Sequence, residues 1–221
     1  MSEQKKSNIN FKPWVGRKYK EGYNGKHILV LGESHYCRDE LKRKGRCYPK
    51  CQVETCDECH NKTKDLIYDF IHAYVGDKYQ QTYLCFERAI AGKELNYSER
   101  KEFWNRIVFY NYVQYSLPAA RVAPSPEYWE KSELAYREIL EKYTPDYIII
   151  WGARLYKKLP EWPGRQSKIQ VDGYTTEVYT YKFNGKKIPA MKVIHPSCPR
   201  GKSWSRWHKF YVKFFSRKYN K

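Results

Sequence analysis

The sequence predicts a three-layer α/β/α domain built on a central, mainly parallel sheet. Short runs of β-branched and apolar residues, typical of buried strands, alternate with segments of helical periodicity. At 221 residues the chain is long enough for one such domain with a sizeable core. It contains no internal repeat and no linker, so we assign residues 1–221 to a single domain.

Five strands are expected, each a short apolar or alternating run. The first ends at Gly32 and leads directly into a polar loop. The last two are joined by a tight turn at Asn184-Gly185, a pair that tolerates positive φ. The expected strands lie at 26–32, 107–113, 147–151, 174–183 and 188–194.

Six helices are expected between and after these strands. In the first, Leu66, Phe70 and Tyr74 recur on one face, and Gly76 is a suitable stop. Ser125 followed by Pro126 is typical of a helix start, as cap and first helical residue. The expected helices lie at 63–75, 81–91, 98–106, 125–143, 153–159 and 205–217.

The composition indicates a nucleic-acid partner. Lys and Arg number 42 against 24 Asp and Glu, a net charge of +18, and 17% of the residues are aromatic. Positive charge attracts phosphates, and aromatic rings stack on bases. Two alternatives would also explain the charge. The surface could bind anionic lipid, or the protein could come from an organism whose proteins are generally basic.

No part of the sequence is suited to a membrane span or to export. Residues 1–26 are polar and charged, and apolar runs such as 148–151 are far too short to cross a bilayer. We therefore expect a soluble, cytoplasmic, monomeric protein. Its 7 cysteines are then reduced, so that clustered ones indicate a metal before a disulfide.

The clustered cysteines lie in an insertion at 37–62 that has no periodicity and few large apolar residues. Cys47 and Cys51 form one close pair, and Cys56 and Cys59 form a second. Four such thiols can close a tetrahedral zinc site, which would stabilise a segment that lacks its own core. An iron–sulfur cluster and uncoordinated thiols are the alternatives.

Parallel sheets bind ligands at the carboxyl ends of their strands, and two polar loops occur at such ends. Glu33 and His35 follow the first strand, where the carboxylate could orient a water and the histidine could bind an anion or transfer a proton. Pro196 holds His195 in a rigid turn after the last strand, and Ser197 is suited to phosphate oxygens. Each loop could also be an ordinary solvated turn.

Asn111 interrupts the otherwise apolar strand at 107–113. A buried amide needs partners, and its donors and acceptor are what reading a base edge requires. The alternative is an Asn that caps the end of the strand.

Together these motifs resemble the uracil-DNA glycosylase superfamily. The segment 32–36 (GESHY) is similar to the first motif of the family, and 195–197 (HPS) is similar to the second. Between them, Asn111 and the segments 121–127 and 145–152 resemble the iron–sulfur branch in order and separation. The motifs reach from residue 28 to about 199, although most residues between them differ.

The resemblance implies a DNA glycosylase of that fold. By match to the family's motifs, Glu33 would position the attacking water, His195 would stabilise the departing base and Asn111 would read it. Tyr36 and His35 are assigned to base binding. DNA contacts are expected in and after the second motif, where Trp204 would lie at the tip of a loop and act as a wedge in the space that the flipped base leaves. The expected contact residues are Ser197, Lys202, Ser203, Trp204 and Arg206.

The chain also departs from the family's pattern. Ser34-His35 replaces Ala-Pro or Asp-Pro, and the cysteines do not follow the spacing of the family's cluster ligands. The stacking Phe of the family has no clear counterpart, and Phe70, Tyr74 and Tyr36 are candidates. The base removed therefore need not be uracil.

Two other functions are compatible with this sequence. The first is a non-catalytic DNA-binding or base-sensing protein on the same fold, which would not need the Glu33 carboxylate beside a flipped base. The second is a hydrolase that uses the cysteine-rich site as a catalytic metal centre. Sites rich in cysteine tend to be saturated with ligands, whereas a catalytic metal keeps an open position.

Overall fold

A seven-stranded sheet organises the chain. The computed structural model describes residues 7–36, 57–73, 76–117, 119, 121–197 and 204–219. The strands are β1 (Trp14–Val15), β2 (Ile28–Gly32), β3 (Ile107–Asn111), β4 (Tyr147–Trp151), β5 (Gly164–Val171), β6 (Tyr174–Phe183) and β7 (Lys186–Val193). In the sheet they lie in the order β1-β3-β2-β4-β7-β6-β5.

The sheet is mixed, which corrects the expectation of a mainly parallel one. The four central strands, β3, β2, β4 and β7, are parallel. The outer strands β1, β6 and β5 pair antiparallel with their neighbours. Two-residue turns at Asp172-Gly173 and Asn184-Gly185 join β5, β6 and β7, and connections this short can only link antiparallel strands.

The helices follow the sequence pattern with shifted ends. Ser125 caps one of them by accepting a bond from the Tyr128 N–H at 3.3 Å, with Pro126 in the first turn as expected. The helix expected at 63–75 ends at His72, so Gly76 is not its stop. The helices are α1 (Asp57–His60), α2 (Lys62–His72), α3 (Lys78–Ala91), α4 (Tyr97–Trp104), α5 (Pro126–Tyr143), α6 (Ala153–Lys158) and α7 (Trp204–Ser216).

Helices cover both faces of the sheet, in an arrangement compatible with a three-layer α/β/α fold. Helices α2, α3, α4 and α7 pack on one face, against residues such as Val30 and Phe109. Helices α5 and α6 pack on the other, against Leu31 and Tyr110. Every residue of β2 and β3 is therefore buried. In the described ranges, no helix is both long and apolar enough to cross a membrane.

Two strands of the structure were not expected from the sequence. Strand β5 is an edge strand with mostly exposed, polar side chains, so it lacks the apolar alternation that marks a half-buried strand. Strand β1 has only two residues, Trp14 and Val15, and forms the other edge beside β3.

A buried carboxylate ties α3 to α4. Glu87 on α3 is fully buried and accepts bonds from Arg100 Nε at 3.0 Å and from Trp104 Nε1 at 3.0 Å. Burial raises the pKa of the Glu87 carboxyl, and the bonds from Trp104 and Arg100 oppose that rise. A buried charge of this kind is tolerated because its partners are in place.

We expect Glu87→Ala to lower the free energy of unfolding by about 3–5 kcal/mol, because it removes the anion that balances a largely buried guanidinium. Denaturant titration of the purified variant measures this change. The matched control is Glu94→Ala, whose carboxylate is 69% exposed where it pairs with Arg88. The control should cost less than about 1 kcal/mol. Equal losses in the two variants would contradict the structural role given to Glu87.

Candidate functional site

The carboxyl ends of the central strands bring three of the expected site residues to one edge of the sheet. Glu33 directly follows β2, Asn111 is the last residue of β3, and His195 lies two residues beyond β7. Because β4 alone separates β2 from β7, the loops after these two strands are near neighbours. Glu33 acts electrostatically on His195, and Gly32 touches the Asn111 side chain.

Glu33 is paired with an arginine that the sequence reasoning did not single out. Its carboxylate, 16% exposed, accepts a bond from Arg154 Nε at 2.8 Å and a second from Arg154 Nη2. Arg154 lies in the first turn of α6, just beyond the carboxyl end of β4. That position at a strand end is the signal by which the residue could have been found.

His195 presents one ring nitrogen as a hydrogen-bond donor. The Ser197 backbone N–H donates to His195 Nδ1 at 3.3 Å, and the Ser197 hydroxyl lies 2.8 Å from the same atom. A backbone N–H is always a donor, so Nδ1 is the acceptor and the proton of the neutral ring sits on Nε2. The turn thus selects the tautomer that donates from Nε2.

The surroundings of His195 favour the neutral ring. Burial lowers the pKa of His195 below its ordinary value of 6.5, and the nearby Glu33 carboxylate opposes that shift. The Trp151 ring packs edge-on against the imidazole, with ring centres 5.8 Å apart. Gly152, at φ +100°, follows Trp151 and lets the chain turn beside His195. A neutral N–H donor and a carboxylate held by arginine therefore lie at the same edge of the sheet.

The Asn111 side chain packs over Gly32 and contacts the His35 ring. It is 6% exposed, and a Cβ atom at position 32 would sit 2.1 Å from Asn111 Oδ1. Any side chain at position 32 would therefore displace the amide. Asn111 Nδ2 lies 2.9 Å from His35 Nε2. Because Asn111 ends β3, the strand is shorter than the 107–113 expected.

His35 supports the Asn111 amide from within the protein. The ring is 4% exposed, its Nε2 lies 2.7 Å from Thr63 Oγ1, and Phe11 packs edge-on at 4.9 Å. Burial, aided by the positive charge of Lys62, lowers the pKa of His35 to about 3. A ring so enclosed is suited to holding its neighbour in place, so the assignment of His35 to base binding stays a prediction.

Tyr36, which was assigned to base binding, is exposed, and the expected DNA contacts lie in separate parts of the chain. The Tyr36 side chain is 38% exposed beside the loop of Glu33. Ser197 is exposed, whereas Lys202 and Ser203 lie outside the described residues. Trp204 is the first residue of α7 and packs partly against the core, so it is not at a loop tip. Arg206 stacks over the Tyr174 ring at 4.0 Å.

Most of the expected metal site lies outside the described residues, namely Cys47, Cys51 and Cys56. Cys59 is buried in α1, and the backbone N–H of Lys12 donates to the carbonyl of the next residue, His60. Within the described ranges, no three His, Cys, Asp or Glu side chains converge as a metal site would require. The zinc and iron–sulfur assignments therefore stay predictions.

Phe70, a candidate for stacking on the base, is fully buried in the core, and Tyr74 lies outside the described residues.

No protein-family model matches the chain, and a search of curated proteins finds no similar sequence. The function is therefore inferred from the chemistry of this edge of the sheet. The edge holds a neutral N–H donor, an anion fixed by arginine and a buried amide. These groups can stabilise a developing anion, favour a developing cation and orient a planar polar ring.

We expect His35 to make the protein less stable in acid. Its pKa of about 3 lies below the ordinary 6.5, so below pH 6.5 the unfolded chain binds a proton that the folded chain does not. The resulting loss between pH 7 and pH 5 is about 2 kcal/mol. In His35→Gln the fall in unfolding free energy over this range should be smaller by that amount.

Denaturant titrations at the two pH values measure the effect. The matched control is His72→Gln, because His72 is an exposed histidine of α2. The control should keep the pH dependence of the original protein. An unchanged pH dependence in His35→Gln would show that His35 is not held in its neutral form by the fold.

Proposed function

We propose that this chain is a DNA glycosylase, which flips a base out of DNA and hydrolyses its N-glycosidic bond. The observation that carries the proposal is the placement of the neutral His195 donor, the Glu33 carboxylate and Asn111 at one edge of the sheet. The uracil-DNA-glycosylase-like fold is part of the proposal. The two motifs that resemble that family follow β2 and β7, which are separated by β4 alone, as one shared site requires.

The reaction needs opposite charges stabilised at its two ends. Breaking the bond between the base and C1′ leaves the electron pair on the base and an oxocarbenium-like cation on the sugar. A water oxygen then bonds to C1′, and one water proton is released for the departing base to take up. His195 Nε2–H would donate to an oxygen of the base anion, where a preorganised donor has its greatest effect.

Glu33 would serve the other end of the reaction. Arg154 occupies part of its carboxylate, but each carboxylate oxygen can accept a second hydrogen bond. Glu33 is therefore suited to orienting the water, and its negative charge would favour the sugar cation. Arg154 acts as a positioning residue, since it reaches Glu33 from a different strand end.

The substrate must be extruded from the stack before these groups can reach it. A net charge of +18 supplies attraction for phosphates along the strand. Asn111 would read the edge of the flipped base with its amide. His35, which lies 2.9 Å from that amide, would fix its orientation.

A base-sensing protein without catalysis is the second candidate. The observation in its favour is that the Glu33 carboxylate is already paired with Arg154. A binder could use that ion pair to hold a loop, and would then cleave no bond.

We expect the protein to leave abasic sites in at least one member of an oligonucleotide panel carrying uracil, hypoxanthine and modified cytosines. Alkaline cleavage of single- and double-stranded substrates detects these sites. His195→Ala should lower the single-turnover rate by roughly 100- to 1,000-fold. Glu33→Gln should also lower it while binding is kept. His72→Ala, an exposed histidine of α2, is the control and should be as active as the original protein.

The outcome that contradicts the proposal is tight DNA binding without cleavage in any substrate. Full activity in His195→Ala would exclude its anion-stabilising role, even if the protein proved to be a glycosylase. An intact rate in Glu33→Gln would likewise exclude Glu33 as the partner of the water.

We expect Asn111→Asp to change which base is released. The substitution replaces the two amide donors with an acceptor, so a base that offers an acceptor there loses a bond. Relative rates on paired substrates measure the change, with a shift of about tenfold or more for one hydrogen-bonded edge. The matched control is Gln170→Glu, the same chemical change on the exposed edge strand β5. Unaltered preference in Asn111→Asp would mean that Asn111 does not read the base.

A further inference from the structure

A cavity opens at the opposite edge of the sheet from the candidate site. Its volume is about 540 Å³. Tyr147 and Lys186, the first residues of β4 and β7, line it together with the end of α7 and the chain beyond. Since strands rise about 3.3 Å per residue, the length of β4 places this cavity roughly 13 Å or more from the carboxyl edge. It is therefore a separate site.

The cavity is strongly positive, and the one carboxylate among its described lining residues is already engaged. Asp146 pairs with Lys186 Nζ at 2.7 Å and accepts a bond from the His27 backbone N–H at 2.9 Å. Three further lysines line the cavity, and no described carboxylate lies within 4.0 Å of their ammonium groups. They are Lys26, Lys187 and Lys218.

The end of α7 contributes a weaker, opposing charge. Its last carbonyl groups carry about half a negative charge in total, which disfavours an anion beside them. Three full positive charges outweigh that effect. Arg217, which follows α7, directs its guanidinium to the Lys168 carbonyl at 3.1 Å and so adds to the positive field nearby.

The wall of the cavity is aromatic. Tyr147 packs edge-on against Phe215, with ring centres 5.1 Å apart, and against Tyr219 at 6.4 Å. The Tyr219 hydroxyl is itself buried, so the ring is the part of Tyr219 that the cavity offers to a ligand. Cations therefore surround a group of aromatic rings.

We propose that this cavity binds a nucleotide, with its phosphate on Lys26, Lys187 and Lys218 and its base against Tyr219 and Phe215. Lysine ammonium groups bind phosphate as point charges, and aromatic rings stack on bases of any sequence. The nucleotide is either free or a unit of a single strand. This inference does not rest on the proposed glycosylase activity.

Isothermal titration calorimetry tests the proposal with three probes: inorganic phosphate, thymidine 5′-monophosphate and a short oligothymidylate. We expect both thymidine probes to bind more tightly than phosphate. Lys187→Ala/Lys218→Ala should weaken their binding by about tenfold or more, because two charge-assisted contacts are lost. The matched control, Lys64→Ala/Lys101→Ala, removes two exposed helical lysines outside the cavity and should change binding by less than about twofold.

Two tyrosine variants test the aromatic wall. Tyr219→Leu should weaken binding of the nucleotide and leave that of phosphate unchanged. Tyr219→Phe keeps the ring and should leave the binding of both unchanged. An oligothymidylate that binds far more tightly than the mononucleotide identifies a strand as the ligand, and equal affinities identify a free nucleotide. Both results support the proposal.

Three results would overturn it. Phosphate binding as tightly as the nucleotide would reduce the cavity to an anion site. Equal weakening in the lysine variant and its control would indicate diffuse attraction by net charge. No binding of either thymidine probe would exclude the site. The base-release assay on Lys187→Ala/Lys218→Ala separates this outcome from the proposed function, because the candidate site is unaltered in that variant.

Discussion

The parallel pairing of β3, β2, β4 and β7 is the constraint on which the rest of the structure depends. Parallel strands end at the same edge, so residues far apart in the sequence become neighbours without any local motif that joins them. Glu33, Asn111, Arg154 and His195 each follow or end a different central strand. The same constraint gathers the amino ends at the other edge, where a basic, aromatic cavity lies.

Burial sets the chemistry of the carboxyl edge more than net charge does. In a protein with a charge of +18, two histidines at this edge are held neutral by their removal from water. For His195 the neutral ring, with its proton on Nε2, is a donor that can meet a developing anion. For His35 the neutral ring is a partner for the Asn111 amide. The two histidines therefore differ in role because one faces the site and the other is enclosed.

The sequence was informative where one side chain or one pattern decides the local structure. The apolar run at 147–151 was placed to the residue, and the cap formed by Ser125 and Pro126 was confirmed. The sequence was uninformative where contacts between distant parts of the chain decide the local structure. The edge strand β5 is polar, so nothing in its pattern marks it. The pairing of Arg154 with Glu33 spans 121 positions, and no local pattern could reveal it.

The most direct test of the account is to identify the bases that the protein releases from DNA without choosing them beforehand. DNA treated with nitrous acid contains several deaminated bases, and mass spectrometry of the small-molecule fraction names those set free. The account predicts that one base, or a small related group, is released by the original protein and not by His195→Ala. Release of no base from DNA that the protein binds would contradict it.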